Sequence, residues 1–180
     1  MRSLVVLAAA VAAAVAPASA ATAEQSARIE GRGGLERQIF VQLNLVRAER
    51  GLQPLRVVPG LRVAAVAHSR SMLAVGFFDH ASADGTSFDR RVRRHYPDRG
   101  WSRWSVGETL LSTSATLDAR QIVGEWLKSK PHREVILSPT WRDVGVGARY
   151  AAAAPQEFGG APTTVVAADF GLREGRESEP

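Results

Sequence analysis

The 180-residue chain contains no cysteine. This absence excludes disulfide bonds, thiolate nucleophiles and cysteine-ligated metals. Beyond the first 20 residues the chain also lacks an apolar run long enough to cross a bilayer. A domain of this size buries roughly two-thirds of the surface of its unfolded chain. Folding therefore rests on an ordinary hydrophobic core, without covalent cross-links.

The first 20 residues have the layout of a secretory signal peptide. A basic start at Arg2 precedes an apolar run from Leu4 to Val15, and small residues in an A-x-A pattern end at Ala20. The alternative is an uncleaved membrane anchor. The apolar run of about 12 residues is short for that role, because a spanning helix needs about 20. The sequence thus predicts a secreted, extracellular protein.

The remainder divides into three parts. Residues 21–34 lack periodicity and end in glycines, which predicts a flexible linker. Residues 35–172 carry periodic apolar patterns and form one predicted domain. Residues 173–180 are mostly charged or polar, which is typical of a frayed tail.

The periodic patterns predict an α+β fold in which helices flank a small antiparallel sheet. Apolar residues recur at helical spacing in four segments, at 35–50, 59–75, 87–96 and 118–129. Alternation predicts two late strands, at 144–150 and 163–170. No clear pattern marks residues 97–116, which are expected to be irregular.

Six arginines lie within the 14 residues from 90 to 103. Such a cluster attracts anionic partners such as nucleic acid, phospholipid or wall polymers. The residues that would serve this role are Arg90, Arg91, Arg93 and Arg94. The alternative is a solvated helix face with no partner, and the sequence favours it.

Several short motifs follow one another along the chain. They are Asn44-x-x-Arg47, Gly51-Leu52-x-Pro54-Leu55, Phe78-Asp79-His80, Gly107-Glu108, the segment from Trp126 to Arg133, Val144-Gly145-Val146-Gly147 and Asp169-Phe170-Gly171. In this order they resemble the CAP superfamily over residues 36–171. That superfamily includes cysteine-rich secretory proteins, venom allergens, plant pathogenesis-related proteins and bacterial secreted (SCP-like) domains.

The resemblance implies an α-β-α sandwich with an open cleft lined by two histidines and two glutamates that bind a divalent metal. His80 and His132 match the two histidines, and Glu108 matches the first glutamate. Ser129 stands where the second glutamate is expected. The chain thus carries three of the four residues, so chemistry that needs two carboxylates is in question.

Two imidazoles and one carboxylate suit zinc with an open water position, and such a water can attack a carbonyl or phosphoryl group. The competing interpretation is an ion pair between a buried glutamate and a histidine, which holds a loop without metal. His68 lies on a core-facing helix and is expected to be a packed residue. Ser82 lacks the nucleophile-elbow motif of a serine hydrolase.

Three functions remain open at this point. The resemblance favours a non-enzymatic module that binds a lipid, peptide or cell-wall fragment, since family members are reported to bind sterols or fatty acids. The second hypothesis is a metal-dependent hydrolase, a nuclease or protease, that uses His80, Glu108 and His132. The third is an extracellular interaction or structural protein with a vestigial cleft, which the replacement by Ser129 favours.

Overall fold

The structure is a computed structural model that describes residues 29–176. The predicted signal peptide and the first part of the predicted linker lie outside the described residues. Within them, five α-helices lie at Gly33–Ala48 (α1), Pro59–Val75 (α2), Phe88–Arg93 (α3), Ala119–Lys128 (α4) and Lys130–Ile136 (α5). Five strands lie at Glu30–Gly31 (β1), Arg56–Val57 (β2), Trp101–Thr113 (β3), Asp143–Ala151 (β4) and Thr163–Arg176 (β5). A short 3-10 helix covers Gln156–Phe158.

The strands form one sheet in the order β1-β4-β5-β3, and β2 adds a short parallel pairing to β4. All other pairings are antiparallel. Helices α2 and α3 cover one face, whereas α1, α4 and α5 cover the other. The predicted α-β-α sandwich is therefore confirmed, with β3 at the edge of the sheet.

Two glycines of β4 set the closeness of α2 to the sheet. A Cβ atom on Gly145 would lie 2.1 Å from the backbone nitrogen of Arg62, and one on Gly147 would lie 2.4 Å from the carbonyl carbon of Ala65. Because no side chain fits there, the helix backbone rests directly on the strand. The Val-Gly-Val-Gly motif is thus a packing device, as expected for strand geometry.

The Asn44-x-x-Arg47 motif also serves the scaffold. Asn44 exchanges two hydrogen bonds with the backbone of Leu55, at 3.1 and 2.7 Å. Arg47 is fully buried and donates to the carbonyl oxygens of Ile136 at 2.8 Å and Ser138 at 2.9 Å. These bonds satisfy the carbonyl groups where α5 ends, which otherwise lack partners inside the helix.

The prediction that residues 97–116 are irregular is wrong. They contain β3, which pairs with β5 from Trp101 to Thr113. Serines, an arginine and a glycine interrupt the alternation of apolar residues in this segment. Strand propensity is weak for such residues, so pairing with β5 determines the structure here.

The folded domain also extends beyond its predicted bounds. Ile29 is buried, and Glu30 and Gly31 pair with β4, so residues 29–34 are not part of a free linker. At the other end β5 continues to Arg176, past the predicted boundary at residue 172. At both ends of the domain, pairing with the sheet fixes the structure of segments in which apolar residues do not recur periodically.

Helix α4 lies within the predicted segment 118–129. It begins after a capping box formed by Asp118 and Gln121, and it ends at Lys128. A second helix, α5, begins at once, with Pro131 in its first turn. Proline is well tolerated there because its missing N–H would have no helical partner. This helix carries His132.

Candidate functional site

A cluster of polar side chains surrounds Glu108 on the edge strand β3. Four elements contribute to it: β3 itself, the loop between α2 and α3 that carries His80, helix α3 with Arg91, and β5 with Asp169. Glu108 and Asp169 are direct cross-strand partners. The cluster therefore brings together residues that are far apart in sequence, as the resemblance implied for His80 and Glu108.

His80 and Glu108 form a dyad of unequal exposure. Nδ1 of His80 donates to Oε1 of Glu108 at 2.8 Å. The histidine side chain is 55% exposed, whereas that of Glu108 is 1% exposed. The hydrogen bond to Glu108 raises the pKa of His80 and outweighs its partial burial. A buried carboxylate thus holds an imidazole at the protein surface and favours its protonated form.

Arg91 supplies the second partner of Glu108. Its Nη2 donates to Oε2 of Glu108 at 2.8 Å and lies 3.1 Å from the carbonyl oxygen of His80. Burial alone would raise the pKa of Glu108. The hydrogen bond from His80 and the charge of Arg91 outweigh this effect and hold that pKa below its usual range. Glu108 is therefore a carboxylate with both oxygens engaged.

Asp169 is a second buried carboxyl group beside the dyad. It is fully buried, and its Oδ2 lies 4.0 Å from Nη1 of Arg91. Neither of its carboxyl oxygens accepts a hydrogen bond from the described residues. Burial and the negative charge of Glu108 raise the pKa of Asp169 well above its usual range. The cluster therefore contains two carboxyl groups whose pKa values are shifted in opposite directions.

The sequence analysis did not single out Asp169 as a site residue, although a signal was present. Residues 165–172 read Val-Val-Ala-Ala-Asp-Phe-Gly-Leu, so Asp169 is the one ionisable residue in an apolar strand. Ionisable residues are rarely fully buried unless they are paired or functional. Strand register then places this residue opposite Glu108.

His68 is buried on α2, as expected for a packed histidine. Its Nε2 is 2.9 Å from the carbonyl oxygen of Asp79, and its ring meets Phe77 edge-on. Burial lowers the pKa of His68, and the Arg91 charge adds to that effect. A neutral His68 thus anchors the beginning of the loop that carries His80.

His132 approaches the site from the other helical layer. Partial burial lowers its pKa, with a further contribution from the charge of His80. Ser129, at the position of the second family glutamate, ends α4 and precedes α5, so no carboxylate is supplied there. The two imidazoles are therefore near one another electrostatically but differ in their proton affinity.

The predicted metal ligands are not arranged as a three-ligand set. Between residues 29 and 176 no group of three histidine, aspartate or glutamate side chains is placed to hold a metal ion. The reason lies in the bonds of the dyad: Nδ1 of His80 and both oxygens of Glu108 already have partners. Zinc binding by His80, His132 and Glu108 therefore stays a prediction.

The arginine cluster does not act as one surface. Arg91 is buried against Glu108, which corrects its assignment to an anion-binding or solvated face. Arg93 pairs with Asp98 at 2.8 Å and lies over the ring of Trp104 at 4.4 Å. Arg90 and Arg94 are exposed. Helix geometry could have identified Arg91 as an inward residue, because it lies three residues after the inward Phe88.

The three layers and the mainly antiparallel sheet define the α-β-α sandwich class of domain. The family model of the cysteine-rich secretory proteins, CAP, matches residues 41–165. The chain therefore belongs to the CAP family. It is also 31% identical over 113 residues to protein YkwD of Bacillus subtilis, a match that covers 62% of this chain and 41% of that protein.

Solved structures share the fold. An extracellular protein with an SCP domain from Bacillus anthracis superposes with a TM-score of 0.62 at 22% identity, covering 79% of this chain and 41% of that one. An outer surface protein from Borrelia burgdorferi gives 0.59 at 17% identity, covering 76% and 90%. A cysteine-rich secretory protein from Staphylococcus aureus gives 0.53 at 14% identity, covering 77% and 38%.

The chain thus spans about 41% of YkwD and of the Bacillus anthracis protein. The structural relatives are described as extracellular, outer-surface or secretory proteins. In the part of the chain that the structure describes, no helix has the length and apolar character needed to cross a membrane.

Proposed function

We propose that this CAP domain is a secreted, non-enzymatic module that binds a ligand with an acidic group, and that the group contacts His80. The observation that carries the proposal is the unequal dyad. A carboxylate that is 1% exposed holds an imidazole that is 55% exposed. A solvent-facing side chain fixed by a buried partner is preorganised for binding, because less conformational freedom is lost when the ligand arrives.

The balance of charge supports an anionic ligand. Arg91 offsets the charge of Glu108, and burial together with the charge of Glu108 raises the pKa of Asp169, so protonation of His80 adds a positive charge to the cluster. The exposed Arg90 and Arg94 on and beside α3 add to the positive field. Carboxylates and phosphates form the strong, charge-assisted hydrogen bonds that such a site offers. Fatty acids, acidic peptides and cell-wall fragments share this chemistry.

Secretion is part of the same proposal. The signal-peptide pattern of residues 1–20 and the extracellular descriptions of the structural relatives support it. Detection of the protein in the culture medium of the native cell, with Ala21 as its first residue, is the expected result. A protein retained in the cytosol with Met1 in place would contradict this part.

Calorimetric titration of the purified protein at pH 6 tests the binding proposal. Three probes separate the ligand sources: palmitate, a short glutamate-rich peptide and a muropeptide. We expect saturable binding of at least one probe, an affinity loss of about tenfold or more in His80→Ala, and no change in His95→Ala. His95 is an exposed histidine with no part in the dyad, so it controls for loss of an imidazole.

Two outcomes would contradict the proposal. Equal affinities of the wild type and His80→Ala would place the ligand elsewhere. Failure of all three probes to bind would favour the extracellular interaction protein with a vestigial cleft. Release of a hydrolysis product from the peptide or muropeptide, lost in His80→Ala, would instead support the hydrolase hypothesis.

A further inference from the structure

We infer that Arg91 is a positioning residue for His80. It contacts both members of the dyad, through the side chain of Glu108 and the backbone carbonyl of His80. The inference rests on the proposed function in one respect, that His80 is the residue that meets the ligand. It assigns to one member of the arginine cluster a specific role inside the domain.

The contacts of Arg91 connect three separate elements. From α3, its Nη2 donates to Oε2 of Glu108 on β3 at 2.8 Å and to the backbone carbonyl oxygen of His80 in the preceding loop at 3.1 Å. One guanidinium group therefore fixes the carboxylate and the peptide unit whose side chain that carboxylate binds. The backbone contact therefore ties the loop that carries His80 to the carboxylate that binds its ring.

The contact with Glu108 determines which nitrogen of His80 carries the hydrogen. Arg91 occupies Oε2 of Glu108, so Oε1 remains for Nδ1 of His80. A carboxylate accepts hydrogen bonds, so Nδ1 carries the hydrogen and the neutral ring has its lone pair on Nε2. Free imidazole side chains prefer the opposite tautomer. The dyad thus presents Nε2 of His80 outward, as an acceptor when neutral and a donor when protonated.

The position of Arg91 is itself well defined. Its side chain is 9% exposed and its guanidinium carbon lies 5.4 Å from the centre of the Phe88 ring. Its Nη1 points towards Asp169, 4.0 Å from Oδ2. Lysine has a single ammonium group on a flexible chain and cannot reproduce the planar fork of arginine. A conservative Arg91→Lys change should therefore disturb the dyad.

The chain offers a matched control in a second buried arginine. Arg149 is 13% exposed, pairs with buried Glu36 at 2.7 Å and has no contact with the dyad. Arg149→Met thus removes a comparable ion pair at another place in the fold. An effect shared by Arg91→Met and Arg149→Met reflects stability, whereas an effect limited to the Arg91 variants reflects positioning.

The test is the tautomer of His80, read from the two-bond proton–nitrogen spectrum of the labelled protein at a pH where the ring is neutral. We expect the Nδ1–H form in the wild type and in Arg149→Met. We expect a shift towards the Nε2–H form in Arg91→Met and Arg91→Lys. An unchanged tautomer in a folded Arg91 variant, or an equal shift in Arg149→Met, would overturn the inference.

The lysine variant keeps the test decisive if Arg91→Met does not fold, because it retains a positive charge. Ligand binding provides a second readout. Arg91→Lys should weaken binding of the probe by about tenfold, with no change in Arg149→Met. If the tautomer shifts as expected while no probe binds the wild type, the positioning role stands and the proposed function fails.

Discussion

The domain contains two buried glutamates with cationic partners, and they are used differently. Glu36 on α1 binds Arg62 at 2.8 Å and Arg149 at 2.7 Å, and it accepts a third bond from the backbone N–H of Ala148. Glu108 binds Arg91 and His80, each at 2.8 Å. Both carboxyl groups have lowered pKa values, because their partners outweigh the effect of burial.

The difference lies in what the partners are attached to. Arg62 and Arg149 belong to α2 and β4, so the bonds of Glu36 join three parts of the scaffold. The exposed partner of Glu108 is a histidine on a loop, and Asp169, a carboxyl group with a raised pKa, faces Glu108 from the neighbouring strand. A buried carboxylate can therefore serve as a structural cross-link or as the support of a surface group. The identity and location of the partners distinguish the two roles.

The largest expected effect is that of Glu36→Gln on stability. This change leaves Arg149 largely buried without its counter-ion, and breaking a buried ion pair costs about 3–5 kcal/mol. Urea denaturation measures the loss of unfolding free energy. Glu30→Gln, an exposed residue on β1, is the control and should cost little. A loss below about 1 kcal/mol would show that the Glu36 cluster is not a scaffold element.

Glu108→Gln should cost less, about 2–3 kcal/mol. Its partner His80 is half exposed, and Asp169, 4.0 Å from Nη1 of Arg91, can supply a counter-charge to that buried arginine once Glu108 no longer raises its pKa. Urea denaturation of Glu108→Gln and Glu36→Gln compares the two losses of unfolding free energy directly. A greater loss of unfolding free energy for Glu108→Gln than for Glu36→Gln would show that Glu108 contributes more to the scaffold, which would contradict this assignment.

Raising the pH through the titration range of His80 should reduce the stability that the Glu108 cluster contributes and leave that of the Glu36 cluster unchanged. The pKa of His80 is raised in the folded protein, whereas Glu36 has arginine partners that stay charged. A raised folded pKa means that the contribution of His80 is fully present below the unfolded value of about 6.5 and is lost as the pH rises through the folded value. The difference in unfolding free energy between wild type and His80→Gln should therefore be largest below pH of about 6.

The difference is used because His68 and His132 have lowered pKa values, which act in the opposite direction. Burial is the main cause of both shifts and is common to the two proteins, so only the smaller contribution from the charge of His80 differs between them. A difference that grows above neutral pH would contradict the account. At the acid end, both glutamates contribute stability above their ordinary value of 4.5, and this is lost as the pH falls through the folded values.

The smallest expected effect concerns zinc. With both oxygens of Glu108 engaged, His80 and His132 are the ligands that remain, and two imidazoles bind zinc weakly. Added zinc should raise the melting temperature by less than about 4 °C, and the His80→Ala/His132→Ala double variant should show no rise. A large rise that survives in the double variant would place a metal site elsewhere in the protein.

The sequence predicted the scaffold better than the site. The predicted helical segments 59–75 and 118–129 contain α2 and α4, because the helical spacing of apolar residues is a signal that acts within a few residues. The strand β3 was missed because pairing with a distant strand, and not its own residues, makes it a strand. Local patterns do not contain such information.

The same distinction applies to the functional residues. The resemblance identified His80 and Glu108 as neighbours, and the structure places them in direct contact. The roles of Arg91 and Asp169 depend on the docking of α3 and on strand register, which composition and spacing do not reveal. An arginine within an arginine-rich run has the composition of a surface residue even when helix geometry turns it inward.

The central claim is that Glu108, and not Glu36, supports a binding site. The most direct test compares Glu108→Gln and Glu36→Gln, both folded at pH 6, in calorimetric titrations with the probe that binds the wild type. We predict an affinity loss of about tenfold or more in Glu108→Gln and an unchanged affinity in Glu36→Gln. Equal affinities in the two variants would contradict the claim and would show that the dyad has only a structural role.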